Sequence, residues 1–414
     1  MRAGRVGAGR AADPARRALN RTGRPAAPNA RCRAGAALLA GGTVLIALIT
    51  LIGPGAPRAA AATEQNCESP AKTTIATLPW AQTLLAPQRA WQFTTGANVT
   101  VAVIDSGVDA SVPQLKGHVL PGLSLDTADG PATADCLGHG TMVAGIIAAQ
   151  PVSGIGFAGL APGAVILPIR VYSDTGTTSS EDMAKAIVAA TGAGAKVINI
   201  SAVAQASSPA LATAVQYAQA HDVLIVASAG NDNQQADEVT YPAAYPGVIA
   251  VGSITASGTV AQTSETGGFI DLVAPGETIL SLGVGGPGHV YDSGTSFAAP
   301  FVAATAALVR SYYPALTAPQ VKARLETTAD HPAKTLPDPQ YGWGVIDPYR
   351  AVTAILTPAA APPPAAIPMP ELNVHAPASA RHLSLGFAGA AGALVVLVLT
   401  CSRLLARGRE RGWR

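Results

Sequence analysis

The chain has 414 residues, of which 49% are hydrophobic and 13% charged, a composition that excludes a disordered polyelectrolyte. Its formal net charge of +2 conceals a partition: Thr63 to Thr357 holds 11 Lys and Arg against 22 Asp and Glu, and the basic excess sits in the tails. An acidic middle argues against a nucleic-acid partner, and the terminal arginines read as membrane-topology signals.

Residues 1–33 carry nine arginines and run into an uncharged apolar stretch, Ala34 to Ile52, followed by the small residues Ala59 to Ala62. This pattern marks 1–62 as a basic leader and signal peptide, either cleaved after the small residues or retained as an anchor. Residues 63–79 form an N-terminal extension too short to bury a core of its own. The region 80–356 is long enough for one large domain and shows no internal repeat.

Within that domain, Val99 to Ile104, Val165 to Val171, Val197 to Ile200, Val223 to Ala227 and Val248 to Val251 are short, β-branched and nearly uninterrupted. Strands apolar on both faces belong in a covered parallel sheet. Helical signals alternate with them. Thr141 to Ala149 reads as one helix. Ser208 as N-cap and Pro209 at the first position precede Leu211, Val215 and Ala218 on one face, and Thr317 with Gln320 makes a capping box before Val321 and Leu325. The alternation predicts an α/β domain with helices on both sheet faces, and a site at the carboxyl ends of the strands.

After the domain, 357–380 is a Pro- and Ala-rich spacer, expected to be extended. The uncharged run Leu383 to Cys401 would span about 28 Å as a helix, close to the roughly 30 Å of a hydrocarbon core, and predicts a transmembrane helix. Arg403, Arg407, Arg409, Arg411 and Arg414 fill the 402–414 tail and place it in the cytoplasm, with the domain across the membrane. On this map Cys32 lies in the leader and Cys401 in the membrane, leaving Cys67 and Cys136 as a pair in an oxidising compartment. They are predicted to be bonded, a closure worth about 4 kcal/mol in the chain-entropy model.

Three residues carry the pattern of a Ser-His-Asp nucleophilic triad. Asp105 follows a strand, where a carboxylate can fix one imidazole nitrogen. His139 lies between Gly138 and Gly140, which allow close backbone approach and leave the ring reachable, as a general base requires. Ser296, in Gly294-Thr295-Ser296-Phe297-Ala298-Ala299-Pro300, opens a helix whose N–H groups favour developing negative charge. Asn231, in ASAGND after a strand, supplies an amide that could hold an oxyanion together with the Ser296 N–H. The other six histidines are read as surface or packing residues.

VAVIDSGVD, GHGTMVAGI, VINIS, ASAGND and GTSFAAP, in this order, resemble the subtilisin family over roughly Ala90 to Ala354. The resemblance implies a three-layer subtilisin-like domain with a central, mostly parallel seven-stranded sheet. It also implies peptide-bond hydrolysis through an acyl-enzyme, with Asp105 orienting, His139 shuttling the proton, Ser296 attacking and Asn231 holding the oxyanion. No cofactor is expected. A narrower resemblance is to the mycosins, membrane-anchored subtilases of the actinobacterial type VII secretion system. They share the signal peptide, the cysteine-tethered extension, the proline-rich spacer and the C-terminal membrane helix. That resemblance implies an extracytoplasmic endopeptidase on the cell membrane, with protein or peptide substrates and type VII secretion components as partners. Two other readings fit the same residues: a surface subtilase for general processing, or a chiefly structural subunit of a secretion complex.

Two departures matter. The short extension, tethered at Cys136 three residues before His139, is expected to brace the domain rather than inhibit it. Where relatives commonly read S-x-G-G, this chain has Ser201-Ala202-Val203-Ala204. Among those substrate-binding residues, Val203 and Ala204 are expected to narrow the pocket beside the scissile bond and favour small side chains. No contiguous carboxylate loop predicts calcium, so no metal is expected; the nearest cluster, Asp232, Asp237 and Glu238, reads as a solvated loop.

Overall fold

The computed structural model describes residues 67–356, apart from 126–129, 173–177, 205, 233–238 and 333–334. The leader, the 357–380 spacer, the apolar run Leu383 to Cys401 and the basic tail lie outside the described residues, as do Asp237 and Glu238. Among the described residues no helix is long and apolar enough to cross a membrane.

Short helices α1 (Trp80–Leu85) and α2 (Pro87–Trp91) lead into β1 (Thr100–Asp105), β2 (Leu123–Ser124), α3 (His139–Ala148) and β3 (Val165–Arg170). Then follow α4 (Ser180–Gly192), β4 (Val197–Ile200), α5 (Pro209–Ala220), β5 (Leu224–Ser228), β6 (Ile249–Ile254) and β7 (Leu272–Pro275). A hairpin of β8 (Ile279–Leu282) and β9 (His289–Asp292) precedes α6 (Thr295–Tyr312), α7 (Ala318–Thr328) and α8 (Pro348–Thr353). The main sheet has seven strands in the order β2-β3-β1-β4-β5-β6-β7, every pair parallel. Two strands carry no sequence signal of their own. β2 is two residues long and partly exposed, and β7 is four residues closed by a proline.

The strands divide their side chains as a period of two requires. Val101 and Val103 face one buried layer with Ile146 of α3 and Phe301 of α6, and Ala102 and Ile104 face another with Met183 of α4 and Leu211 of α5. Three layers follow, with helices on both faces of the sheet. The caps hold as the residues dictate: Ser208 accepts the Leu211 N–H at 3.1 Å, and Gln320 accepts the Thr317 N–H at 2.9 Å. Asp105 is the last residue of β1 and His139 the first of α3, each displaced slightly from the expected element ends.

The extension is tied along the β8–β9 hairpin. Cys67 and Cys136 are bonded, closing 69 residues of chain. The Glu68 N–H donates to Cys136 O at 2.8 Å, Ala71 N–H to Val284 O at 2.9 Å and His289 N–H to Thr73 O at 2.9 Å. The Ile75 N–H donates to His289 Nδ1, so that nitrogen is bare and the proton sits on Nε2, which donates to Gln114 Oε1. Burial holds this imidazole below its ordinary pKa. The neutral form therefore stabilises the docked segment fully above about pH 6.5, and that contribution is lost as pH falls through the lowered value.

Glycine permits the close approach. A Cβ on Gly286 would lie 2.2 Å from Ala71 O, whereas one on Gly192 meets nothing within 4 Å. Gly286→Ala is expected to weaken docking of the extension by about 1–3 kcal/mol, read as faster amide exchange at Ala71 and Ile75. Gly192→Ala should leave that exchange unchanged.

Candidate active site

Chain ends of the sheet supply the site. Asp105 closes β1, Ser201 follows β4, Asn231 follows β5, and two helices begin beside them with His139 and Ser296. His139, Ser296, Asn231 and Ser201 to Ala204 all line one cavity of about 630 Å³.

His139 Nδ1 lies 2.8 Å from Asp105 Oδ1. A carboxylate only accepts, so Nδ1 carries the proton and Nε2 is left as a base. Asp105 is fully buried, while the His139 side chain is 25% exposed. The same Oδ1 also accepts the Ser106 N–H at 2.7 Å and the Tyr172 hydroxyl at 3.0 Å. Glycine at 140 is required by contact: a Cβ there would stand 2.0 Å from Gly107 O. The imidazole packs against Phe297, with centroids 5.0 Å apart, which sets His139 beside the residue that follows Ser296.

Ser296 is held by an exchange with Ser201. Pro300 inside α6 has no N–H to give to the Ser296 carbonyl one turn back. Ser201 Oγ donates to that carbonyl at 2.8 Å, and the Ser296 hydroxyl donates to Ser201 O at 3.3 Å. Asn199 in turn donates to Ser201 Oγ at 2.9 Å. Asn231 Oδ1 accepts the Thr295 N–H at 2.8 Å and the Thr295 hydroxyl at 3.1 Å. Its amide nitrogen is thereby turned toward Gly294, where a Cβ would approach it to 3.1 Å.

Two residues at the site were not singled out from sequence. Asp135 is buried and takes four hydrogen bonds, from Ser106 Oγ, Gly138 N, Thr141 N and Thr141 Oγ1. It thus caps α3 and fixes where His139 starts; an acid just ahead of a helix was the available signal. Burial pushes its carboxyl up, against the bonds from Thr141, and the nearby Asp105 charge pushes the same way. Tyr172 had no such signal, because only the pairing of β1 with β3 brings it to Asp105. Among the described residues, no group of three or more His, Cys, Asp or Glu is arranged to hold a metal.

Comparison with known proteins identifies a family and similar folds. The model of the subtilase family matches residues 96–344. Mycosin-4 of Mycobacterium tuberculosis is 39% identical over 77% of this chain and 81% of its own length. The structure of MycP1 from the ESX-1 type VII secretion system is similar with a TM-score of 0.64 at 34% identity, covering 72% of this chain and 92% of that one. A chain in the periplasmic assembly from the ESX-5 inner membrane complex is similar with a TM-score of 0.60 at 31% identity, covering 73% and 93%.

Burial works against the His139 imidazolium, but the charge and hydrogen bond of Asp105, with the charges of Asp135 and Asp292, outweigh it and raise its pKa above 6.5. A raised folded value adds stability that is complete below about pH 6.5 and lost as pH rises through the folded pKa. NMR titration of the ring protons should give a midpoint above 6.5. Asp292→Asn should move that midpoint down, and Asp105→Asn should move it further.

Proposed function

The chain belongs to the subtilase family of serine proteases, and from that membership we propose a membrane-anchored extracytoplasmic endopeptidase in which Asp105, His139 and Ser296 form the nucleophilic triad. The observation that carries this reading is the hydrogen bond from His139 to the buried Asp105, with His139 lining the cavity that Ser296 and Asn231 share.

The residues divide the work as follows. Asp105 keeps the proton on Nδ1, so Nε2 takes the Ser296 proton as Oγ attacks the substrate carbonyl carbon. For that step the hydroxyl leaves Ser201 O, to which it donates in the structure, and turns to the imidazole. Negative charge gathering on the carbonyl oxygen is met by the Asn231 amide and the Ser296 N–H at the start of α6. Collapse expels the amine, which takes the proton from His139, and water then cleaves the acyl-enzyme by the same route in reverse roles. Ser201 to Ala204 bind the acyl side of the substrate. Val203 and Ala204, both on the cavity wall, favour small side chains there.

Anchoring and secretion are proposed on separate grounds. The run Leu383 to Cys401 with its flanking arginines supports a C-terminal membrane helix below a 357–380 spacer. Likeness to MycP1 and to a chain of the ESX-5 assembly supports type VII secretion components as partners and protein substrates. Likeness to a member of an assembly also favours a second reading, in which bracing that complex is the main task. Ser296→Ala separates the two, since secretion that survives it depends on the scaffold alone.

Labelling the purified full-length chain with a fluorophosphonate should modify the wild type and spare Ser296→Ala; an unlabelled, folded wild type overturns the triad. Asn231→Ala should lower kcat on the order of 100- to 1,000-fold, as loss of one oxyanion donor does in subtilisin, with little change in KM. Val203→Gly should raise kcat/KM for peptides with a large acyl-side residue roughly 10-fold or more relative to those with alanine, measured by paired substrates.

A further inference from the structure

Tyr172 belongs to two structures at once. Its ring lines the 630 Å³ cavity, and its hydroxyl donates to Asp105 Oδ1 at 3.0 Å in a buried setting. The paired ends of β1 and β3 bring the two residues together. Asp105 pairs with Arg170 across the parallel β1–β3 ladder, and Val171 N–H continues the ladder to Asp105 O at 2.9 Å. Tyr172 lies two residues past the end of β3 and packs with Ala102, Ile104 and Val171, and from there its hydroxyl reaches the carboxylate at the end of β1.

The carboxylate is asymmetrically loaded. Oδ1 receives His139, Ser106 and Tyr172, while among the described residues Oδ2 is buried with no hydrogen-bond partner. The phenol and the imidazole thus draw on one oxygen. Each donor that withdraws charge from it reduces what remains to stabilise the imidazolium, and each also restrains the carboxylate in the plane His139 needs. We infer that Tyr172 is a positioning residue of the proteolytic site, clamping Asp105 from the cavity wall and setting the basicity of His139. The inference rests on the triad reading above.

The phenol remains a donor throughout, since burial and then the Asp105 charge hold its pKa well above 10. The other charged groups facing the pair are Asp135 ahead of α3, Asp292 at the end of β9 and Glu68 of the extension, which shares a second cavity of about 300 Å³ with His139. None of them contacts the Tyr172 hydroxyl, so their effect on His139 is common to every variant compared.

Tyr172→Phe removes the hydroxyl and keeps the ring. In the full-length chain, kcat on a small peptide ester should fall roughly 3- to 10-fold with KM held, because orientation and not binding is lost. The acid limb of kcat/KM, which reports His139 in the free enzyme, should move up by about half a pH unit as charge returns to Oδ1. Replacing Tyr172 by 3-fluorotyrosine, a stronger donor of nearly the same size, should move the limb down. Opposite shifts support the inference. Acid limbs unmoved in both proteins overturn it, and if Tyr172→Phe fails to fold, an unmoved limb in the fluorinated protein overturns it alone. Fluorophosphonate labelling of the wild type is run beside them: absence of labelling sinks the triad reading, whereas labelling with unmoved limbs sinks only the role of Tyr172.

Discussion

A carboxylate with no exposure to water sits at the end of β1, and most of the site is arranged around that fact. Burying an ionised group costs several kcal/mol unless charge or hydrogen bonds compensate it. Asp105 obtains compensation from the Ser106 N–H, the Tyr172 hydroxyl and the His139 ring. Compensation by an imidazole has a chemical consequence, since the proton on Nδ1 leaves Nε2 basic. A second buried acid, Asp135, repeats the arrangement next door and uses its bonds to start α3 at the one residue where that imidazole meets Asp105. The Asp105 charge and hydrogen bond, with the charges of Asp135 and Asp292, explain why the pKa of His139 rises despite burial.

On the opposite side, a defect in α6 is turned to use. Proline at position 300 removes a helical hydrogen bond, which ordinarily costs stability. The carbonyl so released belongs to Ser296, and Ser201 at the end of β4 occupies it. The helix start is thereby pinned to the strand that also forms the cavity wall, and Asn231 is pinned through Thr295 from a third strand. Three neighbouring parallel strands, β1, β4 and β5, deliver these contacts at the same edge because parallel strands end together. Position at that edge is the physical basis for a precise site on loop residues.

The extension is part of the same logic. Residues 67–75 follow the hairpin that leads into α6, and the bond to Cys136 joins them to the loop that leads into α3. Both helix starts of the site are therefore approached from a shared strap. Its contacts run along the hairpin and its residues Glu68 and Ser69 border the smaller cavity, while the wall of Ser201 to Ala204 is bordered by none of them.

Much of this was legible in the sequence for local reasons. Strands such as Val197 to Ile200 were readable because burial on both faces forces an unbroken apolar run, and Ser208 and Thr317 were readable because caps act over three residues. The residues expected at the site also gather there, each marked by glycine or by a strand end. β2 and β7 were not readable, being too short to carry a period of their own. Neither were Tyr172 nor the bond from Ser201 to the Ser296 carbonyl, which join residues 67 and 95 positions apart. A sequence states what each residue can donate, accept or bury within a few neighbours. Which distant partner receives it is decided by strand register and helix placement, and those exist only when the whole core has closed.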